Sequence, residues 1–157
     1  YTLNCKCGII VCSSCDSEES LSSDWIDTVV RLTVKNSQSE SVFDSTINET
    51  FDKDKIKIFY LENGEYKEYY FGNHGGYDGY SFEDESNVMN LYPYILDLGN
   101  IPEHIIQWND QDSDTLKFEV DVQNNGGYVS ITKVWYNGNL AWDVATDNEI
   151  RLISVTK

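Results

Sequence analysis

The chain has 157 residues, of which 40% are hydrophobic and 13% aromatic, and its formal net charge is −16. A hydrophobic fraction of this size is enough for the core of one domain and argues against a wholly disordered chain. The negative charge repels phosphate backbones and anionic lipid, which disfavours nucleic acid as a partner and attachment through a basic surface patch.

The amino-terminal segment contains all four cysteines, in the run CKCGIIVCSSC at residues 5–15. Apolar residues 8–11 are followed by small residues and then by Cys15. This order resembles the lipobox of bacterial lipoproteins, in which the cysteine is diacylated and becomes the first residue of the mature protein. Two acyl chains are what stable anchoring requires, because one chain binds a membrane only marginally. The apolar run is shorter than the usual ~7–15 residues, which departs from the pattern.

The residues that follow Cys15 are acidic, with the sequence DSEES at residues 16–20. An acidic cluster in this place resembles the surface-export signal of Bacteroidetes-type lipoproteins. The two resemblances imply a signal-peptide remnant at residues 1–14, followed by a lipidated Cys15 and acidic tether at residues 15–24. They also imply a location at the bacterial outer membrane or cell surface, with the membrane as a partner through the lipid on Cys15.

Two other interpretations of the cysteine run remain open. Four thiolates in the spacing C-x-C-x4-C-x2-C match the ligand number of a zinc site, although structural zinc sites usually join separate parts of a fold. In an oxidising compartment, Cys7 is far enough along the chain from Cys12 and Cys15 to form a disulfide with either. We rank the lipobox first, disulfides second and metal third. Whether Cys5, Cys7 and Cys12 belong to the mature protein stays open.

Residues 25–157 are predicted to form one domain of short strands. Apolar and polar residues alternate with the period of a strand that has one buried face. Asn63-Gly64 and Asn137-Gly138 are pairs that tolerate the positive φ angles of two-residue hairpin turns. Residues 36–54 are predicted to form a long loop or a weakly formed strand, and residues 72–87 a loop. The predicted strands span residues 30–35, 55–61, 65–71, 89–98, 105–108, 115–123, 128–136, 140–142 and 149–156.

This pattern predicts an all-β fold. The clearest alternation is in residues 115–123, where four apolar side chains share one face and polar side chains share the other. A strand with one wet face is typical of an antiparallel sheet. No segment shows helical periodicity with caps. We predict an antiparallel β-sandwich of immunoglobulin-like shape, with a lipocalin-like β-barrel as the alternative, because both architectures use the same alternation.

The carboxyl-terminal part, residues 103–157, resembles short lipoproteins of the Bacteroidetes group. The resemblance is carried by three motifs and two further residues: IQWN at residues 106–109, Asp114-Thr115, KVWYNG at residues 133–138, Leu140 and Trp142. It implies an exported sandwich and assigns no activity to it.

Candidate catalytic and metal-binding residues are few. The two histidines, His74 and His104, have no Cys or Ser elbow beside them, so nucleophilic catalysis has little support. Asp110, Asp112 and Asp114 have the alternate spacing of a calcium loop but lack its glycine and its bidentate glutamate. An acidic turn between strands is the preferred interpretation, with calcium left open. We therefore predict a non-catalytic domain with no cofactor and no bound metal.

The tryptophans are mostly assigned to the core. Trp108 follows two isoleucines, and Trp135 is predicted to share a strand face with Val129 and Ile131. Buried aromatic rings are common fillers of sandwich cores. Trp25 lies beside the tether and is left unassigned.

A loop rich in tyrosine and glycine is the predicted ligand-binding segment. Tyr77 and Tyr80 are flanked by Gly and Asp, where we expect no strand to bury them, and loops between strands often carry recognition. Exposed tyrosine rings offer an apolar face to a sugar, and Asn73 and Asp78 offer hydrogen bonds to its hydroxyls. The predicted function is a lipid-anchored surface domain that binds an extracellular glycan or protein. A structural part of a surface assembly is the alternative, and an enzyme of unrecognised type ranks third.

Overall fold

The computed structural model describes residues 25–46, 51–70, 79–83, 86–147 and 150–157. Within these ranges the regular structure consists of strands and three short 3-10 turns, so the predicted all-β class is confirmed. None of the helical turns in the described ranges has the length and apolar character needed to cross a bilayer. The strands are β1 (Trp25–Asp27), β2 (Val30–Lys35), β3 (Lys57–Glu62), β4 (Glu65–Glu68), β5 (Tyr80–Phe82), β6 (Met89–Leu91), β7 (His104–Asn109), β8 (Asp112–Gln123), β9 (Tyr128–Tyr136), β10 (Asn139–Asp143) and β11 (Leu152–Thr156).

The strands form two sheets. The larger has the order β1-β9-β8-β7-β3-β4, and β10 pairs with the same edge of β9 as β1. The smaller has the order β11-β2-β6-β5. Both sheets are mixed, because β1 runs parallel to β9 and β11 runs parallel to β2. The prediction of purely antiparallel pairing is therefore wrong. Neither sheet closes on itself in the described part of the chain, which does not match the lipocalin-like alternative.

The two sheets share one continuous hydrophobic core. Val30, Leu32 and Val34 of β2 are buried, while the residues between them are only partly covered. Ile106 and Trp108 of β7 enter the core from the other sheet. Burying a side chain of this size stabilises the fold by about 1.5–3 kcal/mol. The sheets are thus two layers over a common core, whereas the immunoglobulin-like shape stays a prediction.

The predicted hairpin turns are confirmed. Asn63 and Gly64 have φ angles of 54° and 83°, and Asn137 and Gly138 have φ angles of 47° and 79°. Asparagine and glycine reach this left-handed region at the least steric cost. These turns connect β3 to β4 and β9 to β10.

Two strand predictions differ from the structure between residues 79 and 98. Tyr80 begins β5 inside the predicted loop, because its segment pairs with β6 and its hydroxyl donates to the backbone oxygens of Lys53 and Ile56 at 2.8 and 3.1 Å. The strand predicted over 89–98 ends at Leu91. Beyond it, the N–H of Tyr94 donates to the His104 ring rather than to a neighbouring strand.

The core assignment of Trp135 is wrong because of a bulge. The register between β8 and β9 shifts between Glu119 and Val120, so that β9 supplies one extra residue. Such an insertion reverses which residues face inward. Val134 is consequently buried, whereas Trp135 lies opposite Lys117 on the outer face of the larger sheet. The core assignment of Trp108 is confirmed, since it is fully buried.

Arg151 joins the two sheets at one edge of the domain. It directly precedes β11, and its guanidinium makes a bidentate pair with Asp27 of β1, both distances being 2.8 Å. It also donates to Ser130 at 3.1 Å and to the Ile131 backbone oxygen at 3.2 Å. Arg151 is buried, and the paired guanidinium lowers the pKa of Asp27.

Arg151→Ala should lower the free energy of unfolding by about 3 kcal/mol, because it removes these bonds and leaves a buried carbonyl without its donor. Arg31→Ala is the control, since Arg31 makes one half-exposed contact with Glu83 at 3.3 Å, for which we expect less than ~1 kcal/mol. Urea unfolding measures both variants. Equal losses would show that Arg151 does not connect the sheets energetically.

Candidate functional site

The outer face of the larger sheet carries a row of apolar and aromatic side chains. Cross-strand pairs share one face of a sheet. The pairings place Leu61 opposite Tyr66, and Phe59 opposite Ile105. Trp135 pairs with Leu140 at the other end of the same face. Tyr66 has 42% of its surface exposed and Leu140 has 54%. Tyr66 and Leu140 are thus exposed toward opposite ends of this row, and Phe59 and Ile105 are partly covered between them.

A groove of about 330 Å³ opens on this face beside the turn that joins β7 and β8. Its apolar floor consists of Phe59, Tyr66 and Ile105. Amide, carboxylate and hydroxyl side chains surround that floor: Gln107, Asn109, Asp110, Gln111, Asp112 and Ser113. An apolar floor with a few polar groups around it is the usual composition of a small-ligand site. We call this feature the turn groove.

The Tyr66 ring is held by a chain of polar contacts across the face. Its hydroxyl donates to Glu103, and Glu103 accepts from Lys117 at 2.9 Å. The hydrogen bond to this carboxylate raises the pKa of Tyr66 to about 12. The same hydrogen bond lowers the pKa of Glu103. Tyr66 is therefore a neutral ring of fixed orientation at neutral pH.

The buried carboxylate of Asp114 lies next to Asp112 and Ser113, which line the turn groove, and it is held by four donors. One oxygen accepts from Asn137 at 2.6 Å, and the other accepts from the Trp108 indole and the Tyr136 hydroxyl. The Lys157 ammonium completes this set. Burial alone raises the pKa of Asp114, but the four donors together outweigh burial and lower it. Burial, with the adjacent carboxylate second, raises the pKa of Tyr136.

Lys157 connects that network to the groove itself. Its ammonium also bonds to Asp112 at 2.8 Å, and Asp112 lines the groove. It lies 5.7 Å from the ring centre of Trp108. Of the three aspartates considered for calcium, Asp114 is thus occupied by protein donors and Asp112 by a lysine. The described residues contain no group of three or more His, Cys, Asp or Glu side chains placed to hold a metal ion.

The motifs that resemble lipoproteins meet at this place. Trp108, Asp114 and Thr115 come from β7 and β8, while Tyr136 and Asn137 come from the end of β9. The Asn137 side-chain oxygen also accepts from the Thr115 N–H at 2.8 Å. Their convergence gives these motif residues a structural task, which is to hold the β7–β8 and β9–β10 turns together.

Apart from Asp110 and Asp112, which were considered for calcium, the residues of the turn groove were not identified from the sequence as a site. Phe59 and Ile105 lie on the face opposite to the buried Ile58 and Ile106, so alternation carried a signal of their exposure. The order in which the strands pair was not evident from the sequence, and it is this order that brings β4, β3 and β7 side by side.

The ligand-binding residues predicted from the sequence are mostly outside the described part of the chain. Asn73, Tyr77 and Asp78 belong to this group, and so does the lipidation candidate Cys15. Their predicted roles stay predictions. Tyr80 is described, and it lies in β5, half-buried against the core rather than in an open loop.

The described histidine, His104, is fully buried in β7. Its Nε2 accepts from the Tyr94 N–H at 2.8 Å, which leaves Nδ1 to donate to the Pro102 oxygen, also at 2.8 Å. Burial lowers the pKa of His104 from 6.5 to about 4. It is a neutral structural residue at neutral pH, and it lies on the face of β7 opposite to Ile105 of the groove floor. His74 is not among the described residues.

Comparison with known proteins finds no match, whether with protein-family models, with curated proteins or with solved structures.

Protonation of the buried His104 should lower the free energy of unfolding of the domain in mild acid. Its folded-state pKa is depressed, so its contribution is fully present above the unfolded pKa of 6.5 and is lost as the pH falls toward about 4. Between pH 7 and pH 4.5, wild type should lose about 2–3 kcal/mol more than His104→Gln, whose amide oxygen can still accept from Tyr94. Urea unfolding at both pH values measures this difference. Parallel losses in the two proteins would contradict it.

Proposed function

We propose that this protein is a non-catalytic, lipid-anchored domain of the bacterial cell surface that binds an extracellular glycan in the turn groove. The observation that supports the proposal is the groove itself, with an aromatic and aliphatic floor on a solvent-facing sheet and amide and carboxylate groups around it. The immunoglobulin-like sandwich belongs to the same proposal. The anchor rests on the sequence around Cys15 and on its resemblance to a lipobox.

The chemistry of the turn groove favours a neutral sugar. A tyrosine or phenylalanine ring presents a flat apolar face that matches the C–H face of a pyranose, and the Tyr66 ring is held in place by Glu103. Gln107, Asn109 and Gln111 offer both donors and acceptors to sugar hydroxyls. Two aspartates in the lining and a net charge of −16 repel an acidic glycan.

Binding is proposed rather than hydrolysis because of how the carboxylates are engaged. Glycoside hydrolysis needs two carboxyl groups free to exchange protons or attack the sugar. Asp112 is held by Lys157, and Asp114 lies beneath the groove with four donors on it. These contacts engage both carboxylates with donors of the protein itself.

Strand β4, which precedes the predicted ligand loop in the sequence, ends beside the groove. Glu68, the last residue of β4, pairs with Phe59, which lies on the groove floor. Tyr70, two residues further on, is 68% exposed. Asn73, Tyr77 and Asp78 stay in the proposal as ligand contacts expected from the sequence, and Tyr80 lies in β5. The tether of residues 16–24 spans at most roughly 30 Å when extended, so the start of β1 would stay within about that distance of an anchored Cys15.

Tyr66→Ala and Gln107→Ala should each weaken binding of a neutral oligosaccharide selected on a glycan array. We expect a loss of roughly fivefold or more in affinity, or about 1 kcal/mol, for each anchor removed. Trp25→Ala is the matched control, since this exposed aromatic lies in β1 at the opposite edge of the same sheet. Isothermal titration calorimetry gives the affinities. If the array yields no ligand, or if all three variants bind like wild type, the groove is not the site.

Cys15→Ser should release the protein from the membrane fraction and abolish metabolic labelling by palmitate, because the acylated sulfur is then missing. Cys12→Ser is the control and should keep both properties. Intact-mass analysis of the membrane-bound form should give a chain that begins at a diacylated Cys15. A membrane-free form that retains Cys5, Cys7 and Cys12 would contradict the anchor and leave the groove proposal to its own test.

A further inference from the structure

The edge strand β11 of the smaller sheet lacks the usual protection of an exposed edge. Its sequence is LISVT, without charge, proline or bulge. Natural proteins protect sheet edges with charged residues, bulges or very short strands. The other described edges follow this rule, because β4 reads EYKE, β10 carries a bulge and Asp143, and β1 and β5 have three residues each.

The backbone of β11 offers hydrogen bonds on its free side. In a parallel pair, alternate residues bond to the neighbouring strand. The Arg31 N–H donates to the Arg151 oxygen at 2.7 Å, and the Lys157 N–H donates to the Lys35 oxygen at 2.8 Å. The odd-numbered residues of this segment therefore face β2. Ser154 and Thr156 direct their N–H and C=O groups away from the sheet.

An apolar groove lies at the amino-terminal end of this edge, between β10 and the start of β11. It has a volume of about 330 Å³ and is lined by Ala141, Trp142, Asp147, Ile150 and Leu152. Ile150 is 57% exposed, Leu152 is 46% exposed, and the nearby Val144 is 54% exposed. An edge that offers backbone bonds next to a pocket for side chains is the arrangement by which proteins accept an added strand.

The charges around the groove indicate the kind of strand that fits. Asp147 lines the groove, and Asp143 lies four residues before it in β10. A second copy of the chain would bring another net charge of −16 to the same place, which electrostatic repulsion opposes. A basic partner would instead be attracted, because its lysines or arginines could pair with these aspartates.

We propose that β11 is a docking edge for an extended segment of a partner protein, in which apolar residues alternate with lysine or arginine. The partner strand pairs with Ser154 and Thr156, places an apolar side chain between Ile150 and Trp142, and sets a cation beside Asp147. This surface is separate from the turn groove, which lies on the outer face of the other sheet.

The test uses the full chain and an acetylated probe peptide, Lys-Thr-Val-Lys-Val-Thr-Lys. Ser154→Pro removes the outward N–H and should weaken binding of the probe at least tenfold. Ser154→Ala is the matched control, because it loses the same contact between the Ser154 and Thr33 hydroxyls at 3.0 Å but keeps the N–H, and it should bind within twofold of wild type. Fluorescence anisotropy of the labelled probe gives the affinities.

Two further measurements keep the outcome decisive if Ser154→Pro does not fold. The probe with alternate amides N-methylated, or with glutamate in place of lysine, should bind wild type at least tenfold more weakly. Amide hydrogen exchange at Ser154 and Thr156 should be fast in the free protein and slow with the probe bound. The proposal is overturned by the absence of saturable binding, by equal binding of the N-methylated probe, or by slow exchange in the free protein. Self-association that Ser154→Pro abolishes would assign the edge to a second copy and also overturn it.

Discussion

The buried carboxylate of Asp114 is the constraint on which the candidate site depends. It gathers donors from β7, from the junction of β9 with the β9–β10 turn and from Lys157, three parts of the chain that are distant in sequence. A buried charge is tolerated only when such partners satisfy it. Because Lys157 also holds Asp112, the same network that satisfies Asp114 fixes the wall of the turn groove.

The chain has few cations, and several of them are used in structural ion pairs. The chain has eleven lysines and arginines against 27 acids. Among the described cations, Arg151 and Lys157 are largely buried and engaged with aspartates, and Lys117 is bound to Glu103. The accessible surface is therefore acidic, and it repels phosphate groups and acidic sugars. This bias agrees with a neutral ligand in the turn groove and a basic strand at β11.

Local chemistry made part of the fold predictable. The strand β2, the strand β9 and the Asn-Gly hairpins follow from alternation and from the φ angles that only a few residues tolerate. The mixed pairing was not predictable, because strand order depends on contacts between distant segments. Trp135 shows the same limit on a smaller scale, since one bulge reversed its face and brought an aromatic residue to the surface. The turn groove depends on strand order as well as alternation, so sequence patterns alone did not bring its residues together.

The most direct test of the account is a two-dimensional ¹H–¹⁵N NMR titration of the protein with a neutral oligosaccharide that it binds. We expect the largest chemical-shift changes at the amides of Phe59, Ile105 and Gln107 and in the 110–113 turn, together with the side-chain amides of Gln107 and Gln111. Amides of β11 and of the smaller sheet should stay unchanged. Shift changes centred on β11 or on the outer face of the smaller sheet, with the 110–113 turn unaffected, would contradict the assignment of the turn groove as the binding site.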